Sequence, residues 1–377
     1  MEITAKASEE TEKTDFEKAE QKHLKCFRST DSYIPLTVRV KSPSVSGHTL
    51  WDRMNSAKIT AEAFEEENSL SMDLKSDWIP VVESNFLENL VPGLLGAEIC
   101  RSPGGLITAK PFLNDISDQD KLFPSKAFDD PANLPGSAIL ESALSHYCAL
   151  REIFPVGSGV RVLMPRFASP LDYAVMIRGA DFYADLMLEP ESARSLMLSI
   201  AHLTIGLIKI FKALSGEILS GQTTIRGLHF PGIRLTGDAV VNLPPDLIRS
   251  FMFTLYDIFA AEFGSVMLHY CTSPAPSGHV LPVLTECSSI KCVDNWHGHK
   301  SFFDKNLTGY LQNKVSVCTD LSTDKLSDPD SLLNDPFFSE VPRKGGRGIT
   351  ASVMAESVSE GRELYDAWTS SHIHQMR

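Results

Sequence analysis

The sequence predicts an α/β chain built as a single (β/α)8 barrel over residues 31–377, preceded by a helical extension over residues 1–30. Three observations carry this expectation. Eight apolar or β-branched stretches alternate with helical ones, the order that places parallel strands beside crossover helices. The chain has 377 residues, which fits one barrel of this kind or two ordinary domains. No internal repeat or low-complexity tract marks a second domain. A doubly wound open sheet is the other arrangement of the same units. However, no GxGxxG follows the first strand and no GxxxxGK[ST] occurs, which weakens a nucleotide-binding reading.

Taken in order, residues 8–25 mix Glu and Lys at weakly amphipathic spacing and read as a charged surface helix. The expected strands are YIPLTVRV (33–40), WIPVVES (78–84), GVRVLMPRF (159–167), TTIRGLHF (223–230), SVMLHYC (265–271), SIKCVDNW (289–296), KVSVCTD (314–320) and GITASVM (348–354). Helical patterns fill residues 191–214, 245–263, 302–312 and 356–370. Between Cys100 and Leu134, a Pro-Gly-Gly and several Asp-rich turns predict a hairpin and a long loop over one barrel mouth.

Composition narrows the function classes. Hydrophobic residues make up 43% and charged residues 22%, the balance of a globular protein. No uncharged apolar run reaches the roughly 18 residues of a membrane span. The first 25 residues lack the apolar core of a secretory signal, so a cytoplasmic location without membrane contact is expected. A net charge of −13 opposes nucleic acid as a partner. Seven scattered cysteines without a CxxC pair read as reduced thiols.

In a parallel barrel the chemistry sits where strands end and βα loops begin. The polar residues there are Ser84 and Asn85, Arg166, His229, His269 with Cys271, Asp294 with His297, and Cys318 with Asp320. Arg347 lies just before the last strand. His269 and Cys271 are two apart, so on a strand both point to one face. Imidazole and thiolate together suit zinc, whose catalytic sites take three protein ligands and leave one position open. The commoner alternative is a buried thiol beside a histidine bonded to a carbonyl. A second His-Tyr-Cys, residues 146–148, falls in a helical pattern, where positions i and i+2 diverge by about 200°. The tripeptide itself therefore carries nothing; its place at a strand end does. Arg166 suits a bidentate clamp on an anionic substrate or an ion pair with an acidic neighbour. Asp238 after Gly237 reads as a turn residue or a substrate contact, and His229 is a further substrate-binding candidate. His297 and His299 sit in a loop-like DNWHGHK.

Five stretches in order, ASPLDYAVMIRGADFYADLMLEPESARSLM (168–197), GDAVVNLPPDLIRSF (237–251), VMLHYCTSP (266–274), KVSVCTDLS (314–322) and GGRGITASVMAESVSEGRELYDAW (345–368), resemble the uroporphyrinogen decarboxylase superfamily. That superfamily includes the cobalamin-dependent methyltransferases. The resemblance covers most of the chain from about residue 160 onward and implies a (β/α)8 barrel. The porphyrinogen decarboxylases use an Asp after an early strand, a Tyr in the helix that follows Gly-x-Pro, and a late His. This chain offers Asn85 or Ser84, Val175 or Met176, and Arg347 at those places, which disfavours porphyrin decarboxylation. The methyltransferases bind zinc through His-x-Cys and a distant Cys. The resemblance places His269 and Cys271 on the first two ligands and Arg347 on the third. Cys318 is then the best candidate to complete the site, with Asp294, His297 or another carboxylate as alternatives. The implied activity is methyl transfer between a corrinoid, carried on a possible partner protein, and a small acceptor, with zinc activating a thiol. Arg166, Arg347, Asp238 and His229 would bind substrate. Metal-free decarboxylation in tetrapyrrole metabolism, and non-catalytic binding of a tetrapyrrole or small acid, are the competing readings.

Overall fold

The computed structural model describes residues 15–28, 33–43, 46–102, 105–123, 133–271, 278–298, 315–320 and 348–375. The chain runs α1 (Asp15–Phe27), β1 (Leu36–Val40), α2 (Leu50–Asn55), α3 (Ala57–Met72), β2 (Val81–Glu83), α4 (Leu90–Leu94), β3 (Ile99–Arg101), β4 (Ile107–Ala109) and α5 (Ser137–Ile153). It continues with β5 (Arg161–Leu163), α6 (Pro170–Arg178), α7 (Phe182–Leu188), α8 (Pro190–Ser215), β6 (Gln222–Thr223), β7 (His229–Phe230) and β8 (Ile233–Thr236). Next, α9 (Pro245–Leu247) passes through a π turn at Ile248–Met252 into α10 (Phe253–Phe263). The last elements are β9 (Val266–His269), α11 (Val280–Leu284), β10 (Ile290–Gly298), β11 (Ser316–Asp320), β12 (Ile349–Ala355) and α12 (Val358–Gln375).

Six strands form one sheet in the order β1-β12-β11-β10-β9-β8, and every pairing in it is parallel. A second parallel pair joins β2 to β5. The chain after β5 meets β8 at a single parallel bridge, Ala168 to Thr236, flanked by Ser169 N–H to Thr236 O at 2.6 Å and Thr236 N–H to Phe167 O at 3.0 Å. The expected alternation of parallel strands and helices is thus present as a mixed α/β fold with a parallel six-stranded sheet.

Seven of the eight expected strand segments hold a strand of these two parallel sheets. The exception is 223–230, which folds back as the antiparallel hairpin β6–β7. Gly227, at a φ of +68°, makes its turn, donating to Thr224 O at 2.8 Å. The parallel strand of this region is the four-residue IRLT of β8, immediately after a Pro-Gly. The expected hairpin near residue 100 is β3–β4. The helix expected at 302–312 lies outside the described residues.

Side chains alternate between the two faces of the sheet. Val266, Leu268, Val293 and Val317 belong to the large core shared with the helices. The residues between or beside them, Met267, Cys292 and Cys318, join Phe27, Leu228 and Phe230 in a separate small cluster on the opposite face. Phe27 of α1 meets Phe230 edge-on at 5.2 Å between centroids, so the N-terminal helix and the β6–β7 hairpin cover that cluster. α8 is long and apolar enough to cross a membrane, against expectation, yet 61% of its apolar window is buried. It packs on α6, α7 and α10 as a core helix.

Candidate functional site

Two residues further along β9 and β10 than Met267 and Cys292, the same face turns polar with His269 and Asp294. Asp294 is 0% exposed. Its Oδ1 accepts from Arg226 Nε at 2.6 Å, and its Oδ2 from Arg234 Nε at 2.9 Å. His269 Nδ1 lies 3.3 Å from the same Oδ2. Burial would raise the Asp294 carboxyl, but the two guanidiniums outweigh it and hold the group well below the usual carboxylate range.

This carboxylate orients the histidine. With Nδ1 turned to Asp294, the Nε2 of His269 faces Cys271, 3.0 Å from its Sγ. Cys271 is exposed, and its amide donates to Asp238 Oδ1 at 2.5 Å, which draws the Asp238 carboxylate over the strand end. One ligand atom from each of Asp238, His269 and Cys271 lies within 4.8 Å of the others. Partial desolvation of its sulfur against the strand end pushes the Cys271 thiol up to about 11, with the charges of Asp238 and Asp294 adding to it, so without a cation the group is a thiol. Nitrogen, sulfur and oxygen donors around one point suit zinc, and a histidine backed by a buried carboxylate is the arrangement a zinc ligand uses.

The three donors line a cavity of about 660 Å³ whose wall also includes Arg166, Arg234, Thr236, Glu88 and Asp172. Asp172 follows the N-cap Ser169 of α6, accepting from Ser169 Oγ at 2.5 Å and from the Ala239 amide at 2.9 Å. Burial raises its carboxyl from the ordinary 3.8 to about 7, against those two hydrogen bonds and with help from Asp238 and Glu88. Between those values the folded chain holds a proton that the unfolded chain has released. Stability contributed by this group is therefore present at low pH and falls as pH rises through about 7. We expect urea midpoints of Asp172→Asn to lack the decline that wild type shows from about pH 4 to 7.

The other expected residues are placed as follows. Arg166 grips Glu83 with Nε–Oε2 at 2.7 Å and Nη2–Oε1 at 2.5 Å, so the ion-pair reading of this residue is realised while it still faces the cavity. Cys318 does not join His269 and Cys271. β11 runs on to Asp320, which leaves Cys318 inside the sheet, 1% exposed and 3.5 Å from Cys292 Sγ in the apolar cluster. His229 sits under α1, its amide donating to His23 Nδ1 at 3.0 Å and its ring near Thr223, and it does not line this cavity. Burial lowers its pKa. Arg347, His299 and the side chains of His297 and Asp320 lie outside the described residues. Val175 and Met176 line the large cavity, and Asn85 lines a smaller one. In α5 His146 is buried while Cys148 is exposed, the divergence expected of i and i+2 on a helix.

Arg226, Arg234 and Asp172 are site residues that strand-end reasoning does not find. Arg226 lies within the hairpin, Arg234 in the four-residue strand β8, and Asp172 in a helix start. Compared with known protein families and with curated proteins, the chain matches no family model and no curated protein at a significant level.

Proposed function

We propose that the parallel strands close into a (β/α)8 barrel and that the chain is a metal-assisted methyltransferase resembling the uroporphyrinogen decarboxylase superfamily. It would move a methyl group between a corrinoid on a partner protein and a small acceptor. Closure is supported by the Ala168–Thr236 bridge on one side of the β2–β5 pair and by Asp77 N–H to Leu36 O at 3.3 Å on the other. The single observation that carries the activity is the convergence of Asp238, His269 and Cys271 at the wall of the large cavity.

His269 Nε2, Cys271 Sγ and an Asp238 oxygen would hold the zinc. When bound, the ion supplies the Lewis acidity that lets a coordinated acceptor thiol lose its proton near neutral pH. Asp294 keeps His269 in the orientation that presents Nε2. Arg166 and Arg234, on the wall of the same cavity, fix an anionic acceptor. Asp172, held near 7, is poised to take up the proton the thiol releases.

Elemental analysis of protein reconstituted with zinc tests the reading. We expect about one zinc per chain, the one-metal, three-ligand stoichiometry of catalytic sites, lost in Cys271→Ala and Asp238→Ala and retained in Cys318→Ala. Wild-type protein that takes up no zinc, or loses it only with Cys318, sinks the proposal. Methyl transfer from methylcobalamin to a thiol should follow the zinc content across the same variants. A metal-free carboxy-lyase is the second reading, favoured by Asp172 as a general acid near neutrality beside two arginines. It predicts turnover that survives chelation and is abolished in Asp172→Asn.

A further inference from the structure

The wall of the large cavity carries a second set of acceptors besides Asp238, His269 and Cys271. Glu88 and Asn89 are neighbours in the chain between β2 and α4, and both line the cavity. Asn89 is 3% exposed. Its Nδ2 donates to Ile107 O at 3.1 Å, and its Oδ1 is buried without a donor. Turning the amide over would set that oxygen against the Ile107 carbonyl, so the hydrogen bond fixes which atom is the orphan. Buried acceptors are nearly always satisfied, because leaving one unmade costs the full desolvation of the group. An orphan acceptor at the wall of a cavity therefore points to a donor carried by a ligand.

Glu88 supplies the charge beside it. Its Oε1 accepts from Thr236 Oγ1 at 3.0 Å, and among the described residues the carboxylate makes no ion pair. The arginines of the same wall are committed elsewhere: Glu83 takes Nε and Nη2 of Arg166, and Asp294 takes Nε of Arg234. Arg166 acts on Glu88 only through space. Asp172 is near enough for the charge of Glu88 to raise its carboxyl, so two acidic groups share this side of the cavity. Acidic groups between low-dielectric walls concentrate cations. The backbone that delivers the pair is itself unusual. It leaves β2 through Asn85 and Leu87 at φ of +54° and +51°, a region that a leucine rarely adopts. Strain of that kind persists where the surroundings over-determine it.

We propose that Glu88 and Asn89 seat the primary ammonium group of a small amine, with Asp172 adding its field. An –NH₃⁺ group carries three donors and no acceptor. It can satisfy the Asn89 oxygen and the Glu88 carboxylate together, and the bond to the carboxylate is charge-assisted. A quaternary ammonium has no N–H to give, and its usual seat is an aromatic cage. Among the described wall residues Tyr183 is the only aromatic one. That such an amine is the methyl acceptor rests on the metal reading above, whereas the ammonium seat does not.

The test is calorimetric titration of metal-free full-length protein, at neutral pH, with propylamine and, separately, with tetramethylammonium. Glu88→Gln, Glu88→Asp and, as a control, Glu286→Gln are run beside wild type. Glu286 is chosen because it pairs with Arg249 at the surface, outside the cavity. We expect saturable one-site binding of propylamine, weakened more than about tenfold in Glu88→Gln, the size of one lost charge-assisted contact. Glu88→Gln keeps the shape and an acceptor for Thr236, so it removes the charge alone. Glu88→Asp keeps the charge but draws it back from the seat and should bind several-fold more weakly than wild type, while Glu286→Gln should match wild type. Tetramethylammonium should bind wild type far more weakly than propylamine, a contrast that needs no variant to fold. No saturable propylamine binding, tetramethylammonium bound as tightly as propylamine, or wild-type affinity in Glu88→Gln overturns the proposal. Zinc uptake is measured separately, so the ammonium seat and the metal site can fail independently.

Discussion

Asp294→Ala is expected to lower the unfolding free energy by about 3–5 kcal/mol, the cost of removing one partner from a buried ionic cluster. The carboxylate neutralises two guanidiniums that are themselves 8% and 5% exposed, Arg226 and Arg234. Deleting it removes the one carboxylate that these two buried positive charges are shown to share. Asp294→Asn keeps the shape and one acceptor oxygen but not the charge, and should recover only part of the loss. Equilibrium urea unfolding of the three proteins decides it; a variant within about 1 kcal/mol of wild type, the range of an ordinary surface change, would show that the cluster contributes nothing net. The pH dependence has a fixed sign. Since the folded carboxyl lies well below its ordinary 3.8, its contribution is present above that value and disappears as pH falls toward the folded pKa. Strongly acidic solution should therefore narrow the gap between wild type and Asp294→Ala. Because Asp294 also faces His269, the substitution should lower zinc affinity as well, by the 10- to 100-fold typical of losing such a supporting carboxylate.

Asp77→Ala should cost nearly as much, about 3–5 kcal/mol, for a different reason. Asp77 is 1% exposed and gathers four donors from three distant parts of the chain. Its Oδ1 accepts from Lys22 Nζ of α1 and Tyr365 OH of α12, both at 2.7 Å. Its Oδ2 accepts from Tyr33 OH at 2.6 Å and the Leu36 amide at 3.0 Å. The alanine variant strands a buried strand N–H and frees both terminal helices at once. Hydrogen exchange should show loss of protection in α1, β1 and α12 together, whereas protection in α8 should stay near wild type. Loss confined to α1 would mean the aspartate holds only the N-terminal helix.

The strands were legible because their burial is nearly continuous on one face and apolar residues dominate the runs. The 223–230 segment misled for a physical reason: TTIRGLHF has strand composition, but Gly227 supplies a left-handed turn in its middle. The true strand, Ile233–Thr236, is too short to stand out and carries Arg234 on its polar face. That error concealed half of the Asp294 cluster. His269 and Cys271 were readable as a pair because strand alternation places i and i+2 together. Their third neighbour, Asp238, was legible as a turn residue or a substrate contact but not as a companion of the His-Cys pair, since what brings it close is a backbone hydrogen bond from Cys271. Cys318 looked like a strand-end thiol; its side chain instead meets Cys292 within the small apolar cluster. Asp172 sits three residues after an N-cap serine, a spacing that helix capping alone explains, so nothing local signals its placement in a cavity.

The pairing of β1 with β12, Leu36 opposite Ala351, has a bearing on how the chain is made. On a ribosome adding about 5–20 residues per second, the partner of the first strand emerges roughly 15–60 s after it. During that interval β1 offers an unsatisfied edge, flanked by Leu36, Val38 and Val40, which are buried in the finished protein. Any chain released before residue 349 keeps that edge open, together with the edge of β11 that β12 would cover. Truncated products should therefore aggregate or be degraded rather than persist as smaller folded pieces, and nascent chains should depend on chaperones until the last strand docks.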